Sequence, residues 1–398
     1  MLGWYRLGAS LGGAHHTKPG EGTMIRAAQT MLSLLAVFAL SAAHAQITIG
    51  STFAASGAVA SLGIPGKNTM EVMPATIGGQ SVKYIVLDDG SDPSTVVKNL
   101  RKMVQEDKAD VVVGTISTVG CLAMSDAALE LKTAVLCPAP FPIRNPWMFS
   151  LAHPVPIMVE GLVAHMKANN VRTVAFIGHS DAWGDQNYDA LVKFAPSAGI
   201  KVLTNERYAR TDTSVSAQIL KMLATNPDAI FIGGTGTPGA LPSLALAERG
   251  YKGRVYNTHG VLNRDYLRVG GKAIEGVIAP ASPFIVADQL PDSNPIKKLA
   301  LGYKTSYEAK FGPGTANPFG AYAYDAYYWL NAAIPVAVKR GKPGTVEFRT
   351  ALRDALESLK DVVGVNSIYN LSPGNHNGMD QRSRVLVRVE NGAFKLIP

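Results

Sequence analysis

The chain has 398 residues, 47% of them hydrophobic and 17% charged, with 38 Lys and Arg against 30 Asp and Glu for a formal net charge of +8. This is globular composition with enough length for two domains. The cations are scattered, clustering no further than pairs such as Lys297-Lys298, which argues against the basic face that a nucleic-acid binder requires.

In chain order, residues 1–23 carry no structural pattern, and Met24 opens a better-defined segment. Arg26 supplies a positive start, Met31–Ala42 an apolar core and Ala43-His44-Ala45 a small-x-small site. That is the pattern of a secretory signal cleaved before Gln46. The apolar core falls short of the roughly 20 residues that span a bilayer, and position 46 is not the Cys that a lipid anchor needs. The expectation is an exported, soluble chain beginning at Gln46.

Strand-like Ile47–Gly50 leads into the Gly-, Ser- and Ala-rich loop Ser51–Gly66, with Leu62 near its end. Strand-like Lys83–Leu87 and a helix with Asp92 at its N-cap position follow. Val111–Val113 then reads as a parallel strand buried on both faces, because it is apolar without alternation. It breaks at Gly114 into the hydroxyl-rich turn Thr115–Gly120, which opens a helix; a second buried strand, Thr133–Leu136, runs into Pro138, Ala139, Pro140, Phe141 and Pro142. In an open parallel sheet, ligands bind beyond such strand ends, and N–H groups at a helix start suit an anion. Cys121 and Cys137 both lie in this unit and read as two buried free thiols, although an oxidising compartment would permit a disulfide.

A second copy follows. Asp228–Gly239 repeats the Asp, the apolar run, the Gly-Thr break (Thr235, Gly236, Thr237) and the helix. Upstream, Thr211–Asp228 repeats Ser91–Asp110, with Asp212 in the place of Asp92, and Thr173–Gly178 and Lys201–Thr204 repeat the two earlier strands. The chain is expected to be α/β, two similar Rossmann-like lobes in tandem. The second lobe's first strand ends at His179–Gly184, which contains Trp183. Helices are expected over Pro295–Phe311 and Ala321–Arg340, the latter with an aromatic stripe (Tyr322, Tyr324, Tyr327, Tyr328, Trp329) that reads as core-facing. A terminal hairpin turns at Asn391-Gly392.

Gly234–Gly239 satisfies G-x-G-x-x-G, but it follows the third strand of its lobe and no acid near Tyr256–His259 could hold a ribose. No G-x-S-x-G elbow is present. His153, His165, His179, His259 and His376 stand singly, without metal-ligand spacing. No cofactor, metal or catalytic residue is expected.

Four stretches together, SGAVASLG (Ser56–Gly63), DDGSDP (Asp88–Pro93), Gly114–Pro138, and Trp183-Gly184 with Thr258–Asn263, resemble the periplasmic solute-binding proteins of branched-chain amino acid ABC transporters. The resemblance covers nearly all of Gln46–Pro398. It implies a type I periplasmic binding fold with three crossings, near Leu151, Ile278 and Val365. One lobe would comprise 46–151 and 279–365, the other 152–278 and 366–398. It further implies a periplasmic monomer that closes its lobes on one ligand and delivers it to an inner-membrane ABC permease. The implied ligand-binding residues are Leu62, Ser117, Thr118, Ala139, Pro140, Phe141, Trp183, Thr235, Gly236, Thr237 and His259. The family seats a carboxylate where Ser117-Thr118 stands and an ammonium with a hydroxyl residue and a Glu. Here those two positions hold Phe141 and His259. The expected ligand is therefore a small organic acid without an α-ammonium, aromatic or keto, with a hydrophobic amino acid as the alternative.

Overall fold

The computed structural model describes residues 46–397, so the expected signal segment and its cleavage site lie outside the described residues. Strands β1 (Ile47–Phe53), β2 (Thr76–Ile77), β3 (Gln80–Asp88), β4 (Val111–Gly114), β5 (Ala134–Cys137) and β6 (Met148–Ser150) form one sheet in the order β2-β3-β1-β4-β5-β6. Its strands run parallel apart from the short β2, which pairs antiparallel with β3. Strands β7 (Thr173–His179), β8 (Lys201–Tyr208), β9 (Ala229–Gly233), β10 (Arg254–Asn257) and β11 (Ile278–Ala281) build the second sheet. A ribbon of β12 (Val362–Val363) and β13 (Ile368–Tyr369) intervenes before β14 (Val385–Glu390) and β15 (Ala393–Ile397) complete that sheet. Its order is β15-β14-β11-β10-β9-β7-β8.

The orders 3-1-4-5-6 and 8-7-9-10-11 are the same arrangement twice, which is the tandem repeat seen in three dimensions. The unbroken apolar runs of β4 and β9 are buried along their whole length, because helices cover both faces of a parallel sheet. The C-terminal hairpin joins the second sheet through antiparallel pairing of β11 with β14. Its turn residues Asn391 and Gly392 both have positive φ, +53° and +68°, the conformation that two-residue hairpin loops require.

Three expectations need adjustment. Asp92 does cap the Pro93–Gln105 helix, its Oδ1 accepting from Ser94 N–H at 3.0 Å. Asp212 caps no helix: its Oδ2 accepts from Ala209 N–H at 2.8 Å, which closes a turn, and the next helix begins only at Ser216. The third crossing also lies later than 365–366, since Tyr369, Leu371 and Met379 are buried in the first lobe's core and the second sheet is rejoined only at Val385. The aromatic stripe divides: Tyr322 and Trp329 are buried in that core, with Tyr322 also lining the interlobe cavity, whereas Tyr324, Tyr327 and Tyr328 are only half-buried.

The two thiols are free and buried, donating to the carbonyls of Thr115 (Cys121) and Gly114 (Cys137), each at 3.3 Å. Among the described residues no helix is long and apolar enough to cross a membrane, and no group of three or more His, Cys, Asp or Glu side chains could hold a metal.

Candidate functional site

In each sheet the chain leaves β1 or β7 to one side and returns on the other, so the strand order reverses between β1 and β4 and again between β7 and β9. Loops diverge at such a point and leave a crevice beyond the strand C-termini. The two crevices face each other around a cavity of about 30 Å³. Its walls come from the segments after β1 (Val59, Leu62), β4 (Ile116, Ser117, Thr118), β5 (Pro138, Ala139, Pro140), β7 (Trp183), β8 (Arg210), β9 (Thr235) and β10 (His259, Gly260). Ala152 from the first crossing, with Phe319 and Tyr322 from the Pro318–Ala337 helix, closes it.

Eight of the eleven expected site residues therefore meet here: Leu62, Ser117, Thr118, Ala139, Pro140, Trp183, Thr235 and His259. Phe141 lines a different and larger groove of about 750 Å³, between the Pro142–Pro146 loop, Pro154–Pro156 and the Ala182–Phe194 helix. Pro140 is shared by both cavities. Thr237 faces an outer groove beside Gly57–Ser61. Gly236 stands between the lobes at φ +58°, where a Cβ would lie 3.1 Å from Ser61 Oγ. The small cavity is the functional candidate despite its size, because it sits at the strand-order reversal and gathers polar groups from both lobes. At about 30 Å³ it holds roughly one water, so admitting an organic molecule requires the lobes to part.

Ser117 is the N-cap of the Thr118–Leu131 helix, its Oγ accepting from Gly120 N–H at 3.1 Å. The N–H groups of the first turn have no acceptor within the helix. Thr118 Oγ1 donates to the Pro140 carbonyl at 2.8 Å, which ties the turn to the end of β5. His153 Nε2 lies 2.7 Å from the Ser383 carbonyl and must carry the proton, so Nδ1 accepts the Tyr322 hydroxyl at 3.0 Å. The Tyr322 oxygen is thus left with acceptor capacity only.

The second lobe supplies the charge. Asp181 Oδ1 caps the Ala182–Phe194 helix through Trp183 N–H at 3.0 Å and Gly184 N–H at 3.3 Å. Its Oδ2 accepts from Arg210 Nε at 2.7 Å. Burial pushes the Asp181 carboxyl up, but the Arg210 charge and hydrogen bond outweigh it and hold the group below its usual range. Arg210 Nη1 is buried and finds no acceptor among the described residues. Trp183 Nε1 donates to the Gly234 carbonyl at 3.1 Å, fixing the indole plane.

His259 packs edge-on against Trp183, with ring centroids 5.2 Å apart. It is 2% exposed, and neither ring nitrogen has a partner among the described residues. Burial, reinforced by His153, pushes its pKa down to about 3, so the ring is neutral with one donor and one acceptor to offer.

Sequence reasoning missed Val59, Ile116, Pro138, Ala152, Arg210, Gly260, Phe319 and Tyr322 as cavity residues. Val59, Ile116, Pro138 and Gly260 lie inside motif stretches that were singled out and could have been found there. Arg210 had no such signal, since it follows β8 where the first lobe carries Gly90 after β3.

Residues 46–393 match the periplasmic binding protein family. An extracellular ligand-binding receptor from Rhodopseudomonas palustris HaA2 has the same fold at a TM-score of 0.87 and 42% identity, covering 89% of this chain and 100% of that one. The Leu/Ile/Val-binding protein homolog 3 of Brucella melitensis is 26% identical over 301 residues, 71% of this chain and 77% of the relative. At 18% identity the fold is shared with a solute-binding protein of an ABC transporter from Rhodopseudomonas palustris BisB5 in complex with 3,4-dihydroxybenzoic acid (TM-score 0.74, covering 88% of this chain and 95% of that one). The chain belongs to the periplasmic binding protein family and is not an enzyme.

Proposed function

We propose that this protein binds a small organic acid lacking an α-ammonium, an aromatic or keto carboxylate, and carries it through the periplasm to an inner-membrane ABC importer. The observation that carries this reading is the make-up of the cavity wall, which among the described residues includes the Arg210 guanidinium and the neutral His259 ring but no Asp or Glu that could meet an ammonium. An ammonium enclosed there would lose its water without gaining a charge partner, which is costly. Trp183, Phe319 and Tyr322 give flat walls for an aromatic or apolar body. Ser117 and the first-turn N–H groups suit the carboxylate, and the fold is known to hold an aromatic acid in a distant relative.

Because the ligand would touch residues from both lobes, it binds the closed form better and shifts the hinge equilibrium towards it. The relatives named for leucine, isoleucine and valine favour a hydrophobic amino acid as the second reading. Calorimetry decides between them: benzoate or phenylpyruvate should bind more tightly than leucine or valine. His259→Glu should weaken the acid and recover some amino-acid binding, by roughly tenfold for a charge-assisted contact of about 1.5–3 kcal/mol. Leucine or valine binding to the unmutated protein at least as tightly as every amine-free acid tested overturns the proposal.

A further inference from the structure

We propose that Arg210 is the second seat of the ligand's carboxylate, reaching it from the lobe opposite Ser117, and that it is the residue by which the cleft selects anions. This rests on the reading of the cleft as an acid-binding site. Arg210 is held in place before any ligand arrives. Its Nε is bound to Asp181 at 2.7 Å, and Asp181 is itself fixed by capping the helix that bears Trp183. What remains of the planar fork is directed elsewhere, with Nη1 buried and without an acceptor among the described residues. A buried guanidinium N–H with nothing to donate to is an unfavourable arrangement that an incoming oxygen relieves.

Position supports the assignment. Arg210 lines the cavity together with Ser117 and Thr118. It also lines the outer groove beside Gly57, Ala58 and Ser61, so its guanidinium stands where the lobes meet. The Arg210–Asp181 pair is neutral as a unit, and the nearby imidazoles are uncharged. His179 Nε2 accepts from Thr235 N–H at 3.1 Å, and burial, reinforced by Arg210, pushes that ring down to about 3. One carboxylate therefore brings the only net charge into the cleft. One of its oxygens meets the Ser117 hydroxyl and first-turn N–H groups, and the other meets Arg210 Nη1. Neither lobe alone completes this seat, so the anionic group itself rewards closure.

The test compares the wild-type mature chain with Arg210→Gln and Arg210→Lys by calorimetry, using benzoate, phenylpyruvate and 4-methyl-2-oxopentanoate. The primary amide of whichever acid binds tightest serves as a neutral probe. Melting temperatures of the unliganded variants show whether each is folded. Arg210→Gln should weaken the acid by roughly tenfold or more and leave the amide nearly unchanged, which collapses the preference for acid over amide. Arg210→Lys should restore part of that preference, a point charge replacing a fork. If the folded Arg210→Gln protein keeps the wild-type preference, or loses acid and amide equally, Arg210 does not seat the carboxylate. If the wild type binds none of the three acids, the broader reading of the cleft falls first, and this one with it.

Discussion

Replacing His259 with Phe separates a ligand-reading histidine from a packing one, because the two roles move stability in opposite directions. The ring is 2% exposed, and both of its nitrogens lack partners among the described residues. Each buried unsatisfied group costs about 1–3 kcal/mol. The cavity of about 30 Å³ admits roughly one water, enough to serve one nitrogen and leave the other. Phe keeps an aromatic edge against Trp183 and removes both polar atoms. His259→Phe should therefore stabilise the unliganded closed protein by about 1–3 kcal/mol, a rise of a few degrees in melting temperature for a chain of this size. The same change removes a donor and an acceptor from the cleft, and the acid should bind roughly tenfold more weakly. Thermal denaturation without ligand and calorimetry with the acid measure the two effects. A variant that melts at or below the wild-type temperature and binds unchanged would refute the argument that His259 is kept for its polar atoms.

Gly236→Ala forces a side chain into φ +58°, ψ −156° and places its Cβ 3.1 Å from Ser61 Oγ across the cleft; a melting temperature lower by about 1–3 kcal/mol equivalent and weakened acid binding are expected, and an unchanged melt would contradict this. Asp325 accepts from Val365 N–H at 2.6 Å, Asn366 N–H at 3.2 Å, Asn366 Nδ2 at 2.8 Å and the Tyr369 hydroxyl at 2.5 Å. Burial, against those hydrogen bonds, pushes Asp325 up to about 7, above its unfolded value near 3.9, so the folded chain keeps a proton that the unfolded chain has lost and wild-type stability falls as pH rises between those values. Asp325→Asn does not titrate, so its cost in denaturant melts should be larger at pH 5 than at pH 8, and a cost that stays level or grows with pH would contradict this. Burial also pushes His153 down to about 4, whereas the unfolded value is near 6.5. Between those values the unfolded chain binds the proton that the folded chain refuses, so stability rises with pH across this window and is lost as pH falls through it, by about 1.4 kcal/mol per unit. His153→Phe should lessen that slope by about 1.4 kcal/mol per unit, with the contributions of His179 and His259 remaining, and parallel pH profiles for variant and wild type would show that His153 does not contribute to it.

The amino-acid sequence by itself determined the repeat, the strand ends and the character of each turn. Buried parallel strands must read as unbroken apolar runs, and β4 and β9 do so, each ending in a Gly-Thr break, with Ile116–Thr118 after the first and Thr235 of the second lining the cavity. Ser117, Thr118 and Thr235 were legible because a turn at a strand end follows its strand wherever the sheet goes. Only tertiary structure decided which side chains share one wall. Arg210 enters the cavity because β8 lies beside β7 and its exit loop is drawn in by Asp181, a pairing across the sheet that no local spacing encodes. Tyr322 and Phe319 join it because a helix remote in sequence packs under the first lobe with one face to the core and its first turns at the cleft. Phe141 leaves it because the proline-rich exit from β5 turns the ring into the neighbouring groove. Local pattern sets the direction of a strand end, whereas the partners it meets depend on sheet order and on which faces must be buried, and both are properties of the whole fold.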